Sequence, residues 1–179
     1  LRKALGRDCV VLSQDNFYKS ADAYANFDIP SAIDFPMLVE TIKELKQGRP
    51  VQIPQYDFTT HERSSETVLF EPASVIIVEG ILLFCDTDLL KLFDVKVYIK
   101  SDGNEREKRR LVRDTRERGR TKESVERQYK EHVIPSNNDY VEPSQQYADH
   151  ILIDNSDFTF HGEAELLTDI NKKVGFVVE

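Results

Sequence analysis

At 179 residues the chain is long enough to bury the core of one ordinary domain without covalent staples. A formal charge of −8 argues against a general binder of nucleic acid or of anionic membrane surfaces, so neither is expected as a partner. Only two cysteines occur, Cys9 and Cys85, each beside apolar residues and without metal-type spacing; they read as small buried hydrophobes in a reducing, cytoplasmic compartment.

The opening LRKALGRD lacks the apolar stretch and small-residue cleavage site of a signal peptide, and no apolar run approaches the ~20 residues of a membrane span. Residues 9–13 (CVVLS) are short, β-branched and apolar, which predicts a strand buried in a parallel sheet; Asp15 stands just past its end. In DFPMLVETIKELKQG, Phe35, Leu38, Val39, Ile42 and Leu45 follow helical spacing, Asp34 can cap the start, Pro36 fits the first turn and Gly48 can end it. Residues 51–72 read as two extended runs joined by a polar connection, a hairpin suited to a lid or substrate flap. A second buried strand is expected at 74–78 (SVIIV), with Glu79 directly after it, and a third at 94–99 (DVKVYI).

A helix runs through the basic island, another from about Thr121 to Val133 ahead of Pro135, and a fourth strand is expected at 149–153 (DHILI). The tail beyond residue 157 carries no clear signal. Strand and helix in alternation predict a single α/β domain over 1–179, three-layered with a mainly parallel sheet. Such sheets bind ligands at the carboxyl ends of their strands, where Asp15 and Glu79 fall. Between Asn104 and Arg120, eight basic residues stand against four acidic ones, a net of +4 that leaves −12 to the rest of the chain. A basic island in an acidic chain suits a small, multiply charged anion.

Two strand-end acids and an arginine-rich helix are the parts that phosphoryl transfer uses: charge neutralisation, a metal ion and a base for the attacking hydroxyl. Read together, LSQDNFYK (12–19), NFDIPSAIDF (26–35), VQIPQYDFTTHERS (51–64), VIIVEGIL (75–82), KRRLVRDTRERGR (108–120), ERQY (126–129) and VEPSQQYADHILI (141–153) resemble the uridine kinase, or uridine-cytidine kinase, family of P-loop kinases. The resemblance implies a P-loop kinase-like fold with the inserted hairpin over the nucleoside site and a basic lid with its following helix at 104–134. It implies transfer of the γ-phosphate of ATP, with Mg²⁺, to the 5'-hydroxyl of uridine or cytidine in pyrimidine salvage, by a homotetramer.

By the same resemblance Asp15 is the general base and, with Glu79, a magnesium-side acid. Asp28 corresponds to the acceptor of the ribose 2'- and 3'-hydroxyls, and Tyr56 and His61 to the readers of the base, with Phe58 or Phe27 as an apolar wall. Arg110, Arg120 and Gln128 correspond to nucleoside-side contacts, Arg113 and Arg118 to ATP-phosphate contacts, and Asp157 to an adenine-side contact.

The family's G-x-x-x-x-G-K-S/T phosphate cradle is absent from the chain, and LRKALGRDCVV looks like the end of the helix that follows it and then the next strand. The expectation is a clipped kinase lacking roughly 20–30 residues, the size of a strand-loop-helix unit, because loss of a central strand would leave its neighbours' backbone groups unpaired. The stretch 1–179 alone is then expected to fold poorly or to be inactive. Two alternatives stand beside this reading: a catalytically dead nucleoside- or nucleotide-binding relative, and a phosphoribulokinase-like small-molecule kinase. QYDFTTHERS speaks against the latter, since a sugar phosphate needs no base-reading Tyr and His.

In the full-length protein, Asp15→Asn is expected to lower kcat by roughly two orders of magnitude or more with little change in nucleoside affinity. Steady-state kinetics beside calorimetric titration with uridine check this, and an unchanged kcat removes Asp15 from the base role.

Overall fold

The computed structural model describes residues 9–20, 26–155, 157 and 159–174. The chain divides after Phe93 into two compact units. The first contains β1 (Cys9–Ser13), helix α1 (Phe35–Lys46), β2 (Val51–Asp57), β3 (Glu62–Phe70), β4 (Val75–Glu79) and helix α2 (Thr87–Leu92). β1 and β4 pair in parallel, with Cys9 opposite Val75 and Ser13 opposite Glu79. Glu79 is therefore the last strand residue rather than the first residue beyond it.

Helix α1 forms for the reasons its sequence predicts. The Asp34 carboxylate accepts from Met37 N at 3.3 Å, Pro36 occupies the first turn, Lys43 and Lys46 lie in the last, and Gly48 leaves the helix at φ 75°. Its buried face carries Phe35, Leu38, Val39, Ile42 and Leu45, and these join Leu12, Phe17, Ile33, Leu82 and Leu89 in one core. Burying each such large apolar side chain stabilises the fold by about 1.5–3 kcal/mol. Helix α2, capped by Asp86 through Leu89 N at 2.9 Å, packs on α1. It is too short to show a helical period in the sequence.

The expected hairpin is present: β2 and β3 pair antiparallel from Val51–Phe70 to Asp57–Glu62. Its register shifts between Pro54 and Tyr56, where Ser64, Ser65 and Glu66 stand against Gln55 alone. Pro54 cannot donate to a ladder, and an irregularity is where a strand tolerates it.

The second unit contains β5 (Val97–Lys100), α3 (Gly103–Glu117), α4 (Lys122–Gln128), β6 (His150–Asp154), β7 (Phe160–His161) and α5 (Glu163–Val174). β5 and β6 are parallel, and β7 adds to the other edge of β6 in antiparallel sense. Parallel pairs with interleaved helices bear out the α/β class. Burial on both strand faces holds less widely than expected: Leu12 and Leu152 are buried, while Ile99, Ile151 and Ile153 stay exposed. β5 has a single hydrogen-bonded neighbour among the described residues and is an edge strand of its sheet.

The helix expected to stop before Pro135 does not stop. After α4 the chain continues through a π turn (Tyr129–Val133), an α turn (Ile134–Ser136), a second π turn (Asn137–Val141), an α turn (Glu142–Ser144) and a 3-10 turn ending at Tyr147. Ile134 N reaches back to Tyr129 O and Glu142 N to Asn137 O, each five residues away. That widening puts Pro135 and Pro143 at the start of fresh helical turns, where a missing N–H and the ring cost least. Helix α5 and strand β7 lie in the tail whose sequence carried no clear signal. Among the described residues no helix is long and apolar enough to cross a membrane.

Leu38 is fully buried one turn into α1. Leu38→Ala is expected to cost about 2–5 kcal/mol of unfolding free energy, read from urea denaturation; a loss under about 1 kcal/mol would show that this face is not core.

Candidate active site

The ends of β1 and β4 bring two of the predicted acids together. Beyond Ser13 the chain enters a 3-10 turn (Gln14–Phe17), with Ser13 Oγ accepting from Asp15 N at 3.3 Å. Gln14 is fully buried and its Oε1 accepts from Leu82 N at 3.0 Å, so the turn after β1 is bonded to the loop after β4. A Cβ on Gly80 would lie 2.4 Å from Gln14 Cβ, so only glycine admits this packing. Asp15 and Glu79 are thereby held at neighbouring strand ends. Sequence reasoning passed over Gln14 and Gly80, although a glycine directly after the strand-end Glu79 was a visible sign of close backbone approach.

Among the described residues no group of three or more His, Cys, Asp or Glu side chains could hold a metal ion. Magnesium does not need one: it keeps several waters and takes one or two carboxylates plus substrate phosphates. Asp15 and Glu79 supply that hard-oxygen donor type.

The hairpin turn adds an aromatic nest. Tyr56 lies 5.3 Å from Tyr18 and 5.2 Å from Phe58 between ring centroids, and the His61 ring stacks on Phe27 at 4.7 Å and 14°. His61 has φ 60°, a left-handed conformation uncommon for a residue with a Cβ, and the closing turn requires it. Asp28, next to Phe27, is buried in a turn whose Asn26 Oδ1 accepts from Asp28 N at 2.9 Å. The Tyr56 hydroxyl is buried with no hydrogen-bond partner among the described residues. Burial pushes its pKa up, which keeps it a neutral donor.

Arg63, quoted in the hairpin motif without a role, fastens this nest to the Asp15 turn. Its Nε donates to Tyr18 O, Nη2 to Phe17 O and Nη1 to Asp34 Oδ2, each at 3.2 Å, and its backbone N donates to Ser20 Oγ at 2.9 Å. A guanidinium can serve three acceptors in one plane, which an ammonium on a flexible stem cannot match. Arg63→Lys is expected to loosen the hairpin by about 1–3 kcal/mol. Amide exchange across 57–62 should accelerate accordingly, and exchange at the wild-type rate would refute the anchor.

In the second unit, the arginines gather about an acid that sequence reasoning treated only as part of a charge count. Asp114 is fully buried on α3. Arg113 reaches its carboxylate at 2.8 Å, Arg110 at 3.5 Å, Arg118 at 3.6 Å and Arg120 at 3.8 Å. Arg110 and Arg118 flank it at i−4 and i+4. Arg120 comes back because Gly119, at φ 63°, reverses the chain and lets Arg120 N donate to Asp114 O at 3.1 Å. Gln128 Oε1, at the end of α4, accepts from Arg110 Nη2 at 3.1 Å and from Arg120 Nη1. Arg109 points elsewhere: it pairs with the buried Asp154 at the end of β6, which also accepts from Ser101 Oγ at 2.9 Å. Asp157 accepts from Thr159 N and Oγ1 at 2.9 and 2.6 Å, and the Thr159 hydroxyl above all holds its carboxyl below the usual range.

This combination of parts has relatives. The profile of the "Phosphoribulokinase / Uridine kinase family" matches residues 9–157. A uridine kinase of Staphylococcus haemolyticus is 44% identical over 148 residues, covering 79% of this chain and 72% of its own. Among solved structures, phosphoribulokinase from Rhodobacter spheroides superposes with a TM-score of 0.63 at 16% identity, over 84% of this chain and 62% of that one. A possible uridine kinase from Bacillus stearothermophilus gives 0.56 at 17%, over 83% and 74%. The two structural likenesses bear out the P-loop kinase-like fold, and the sequence match carries the rest: the chain belongs to the phosphoribulokinase / uridine kinase family.

Proposed function

We propose that the protein is an ATP-dependent nucleoside kinase that phosphorylates uridine or cytidine on the ribose 5'-hydroxyl. The observation that carries this reading within the family is the Tyr56 hydroxyl, buried and unpartnered among the described residues, on a ring packed between Tyr18 and Phe58. A buried donor without a protein acceptor costs the fold about 1–3 kcal/mol; a hydrogen-bonding pyrimidine edge would recover it. A sugar phosphate offers no such edge, which favours a nucleoside over a phosphoribulokinase-type substrate.

In this reaction Asp28 accepts from the ribose 2'- and 3'-hydroxyls, Tyr56 and His61 read the base, and Arg110, Arg120 and Gln128 complete the nucleoside side. Asp15 accepts the proton of the 5'-hydroxyl as its oxygen attacks the γ-phosphorus. The bond from γ-phosphorus to the β-γ bridging oxygen breaks, ADP leaves, and the nucleoside 5'-monophosphate forms. Arg113 and Arg118 neutralise charge on the donor phosphates, with Asp157 toward the adenine side. Asp15 and Glu79 would hold Mg²⁺, which when bound supplies further neutralisation of that charge. A place in pyrimidine salvage and a homotetrameric assembly belong to the same reading and rest on the family resemblance, while a cytoplasmic location rests on the sparse cysteines.

The test is Tyr56→Phe in the full-length protein, assayed with uridine and ATP. Its stability should hold or rise, since no described protein group loses a bond, while KM for uridine rises about 2- to 15-fold, the worth of one hydrogen bond. An unaltered KM removes Tyr56 from base reading, and a wild-type protein that turns over neither uridine nor cytidine ends the kinase reading.

A further inference from the structure

The two oxygens of Asp114 divide the four arginines around it. Oδ1 takes Arg113, through Nε and Nη2 at 2.8 Å, and Arg118 at 3.6 Å. Oδ2 faces Arg110 at 3.5 Å and Arg120 at 3.8 Å, and this second pair also shares Gln128 Oε1. The partition coincides with the assignment of Arg113 and Arg118 to the donor phosphates and of Arg110 and Arg120 to the nucleoside. Oδ2 lies within ion-pair range of both its arginines yet makes no hydrogen bond. That geometry suits a carboxylate that centres a cluster more than one that consumes it.

Four guanidinium groups and one carboxylate carry a net charge of +3. Without the carboxylate the four like charges would spread apart, each seeking water. An arginine that must be gathered when substrate arrives charges that reorganisation to the reaction, whereas one already held in place does not. We propose that Asp114 is a positioning residue: a built-in anion that holds the donor-side and nucleoside-side arginine pairs at a fixed separation before either substrate binds. The proposal rests on the kinase reading and adds to it a residue that touches neither substrate.

Charge and position make opposite predictions, which separates this role from a merely structural one. Asp114→Asn keeps the shape but raises the cluster from +3 to +4. In the full-length protein, its affinity for inorganic tripolyphosphate, followed by calorimetry, should equal or exceed that of wild type. Its kcat with uridine and ATP should fall about 100-fold, the scale of a misplaced catalytic constellation. A kcat within about threefold of wild type, under the 1.4 kcal/mol that marks tenfold, overturns the proposal.

Should Asp114→Asn fail to fold, Asp114→Glu keeps the charge and displaces it by one methylene. Lowered kcat with weakened tripolyphosphate binding supports the positioning role, and full activity or binding at the wild-type level overturns it. The wild-type assay judges the kinase reading separately. If wild type is inactive on nucleosides, tripolyphosphate binding decides alone: Asp114→Glu weaker than wild type supports a positioned cluster, and equal binding overturns it.

Discussion

The parallel ladder between β1 and β4 is the constraint on which the first unit depends. Its last rung sets Ser13 against Glu79, and the Gln14 side chain carries the connection one step further by accepting from Leu82 N. The site therefore begins where the ladder's hydrogen bonds run out, and a buried glutamine takes over their work. A glycine at position 80 is the condition for it, since any side chain there would occupy the space that Gln14 fills. Two carboxylates at adjacent strand ends would repel each other in a dry interior. With Glu79 exposed and Asp15 only partly buried, water and a hard cation can offset that repulsion.

A similar economy governs the two clusters of arginine contacts. Arg63 uses its fork to bind backbone carbonyls of Phe17 and Tyr18 and the same Asp34 that caps α1. One carboxylate thus serves a helix start and a hairpin anchor, so the turn bearing Asp15, the helix behind it and the flap are mechanically one piece. In the second unit the logic is reversed: one buried acid organises several arginines. Removing the organising residue strands its partners in either arrangement: backbone carbonyls of buried residues around Arg63, and four like-charged guanidinium groups around Asp114.

How much of this was legible in the chain depends on the range of the signal. Helix α1 was readable to its caps because Asp34, Pro36 and Gly48 act on neighbours three or four residues away. The strands at CVVLS, SVIIV and DHILI were readable because apolar, β-branched runs favour paired, extended backbone, with boundaries off by about a residue where pairing rather than composition sets the end. Pro135 misled because proline ordinarily ends a helix; the π turns that accommodate it are a backbone solution with no composition of their own. The arginines were visible as a charge island, but the role of Asp114 was not, because a single acid within a run of bases looks like one half of an i,i+4 pair.

By itself the sequence determined the α/β class, the hairpin excursion, the strand-end acids and the family motifs, all of which reside in local pattern and in order along the chain. Only the tertiary structure decided that Gln14 closes over Gly80, that Arg63 ties the flap to the Asp15 turn, and that Asp114 splits four arginines into two pairs. Each of those joins residues through the space between elements, or through a turn such as Gly119 that folds the chain back on itself. Composition and spacing record which groups are available, whereas the distances that turn a carboxylate into a cap, a ligand or a counter-ion exist only once the chain is packed.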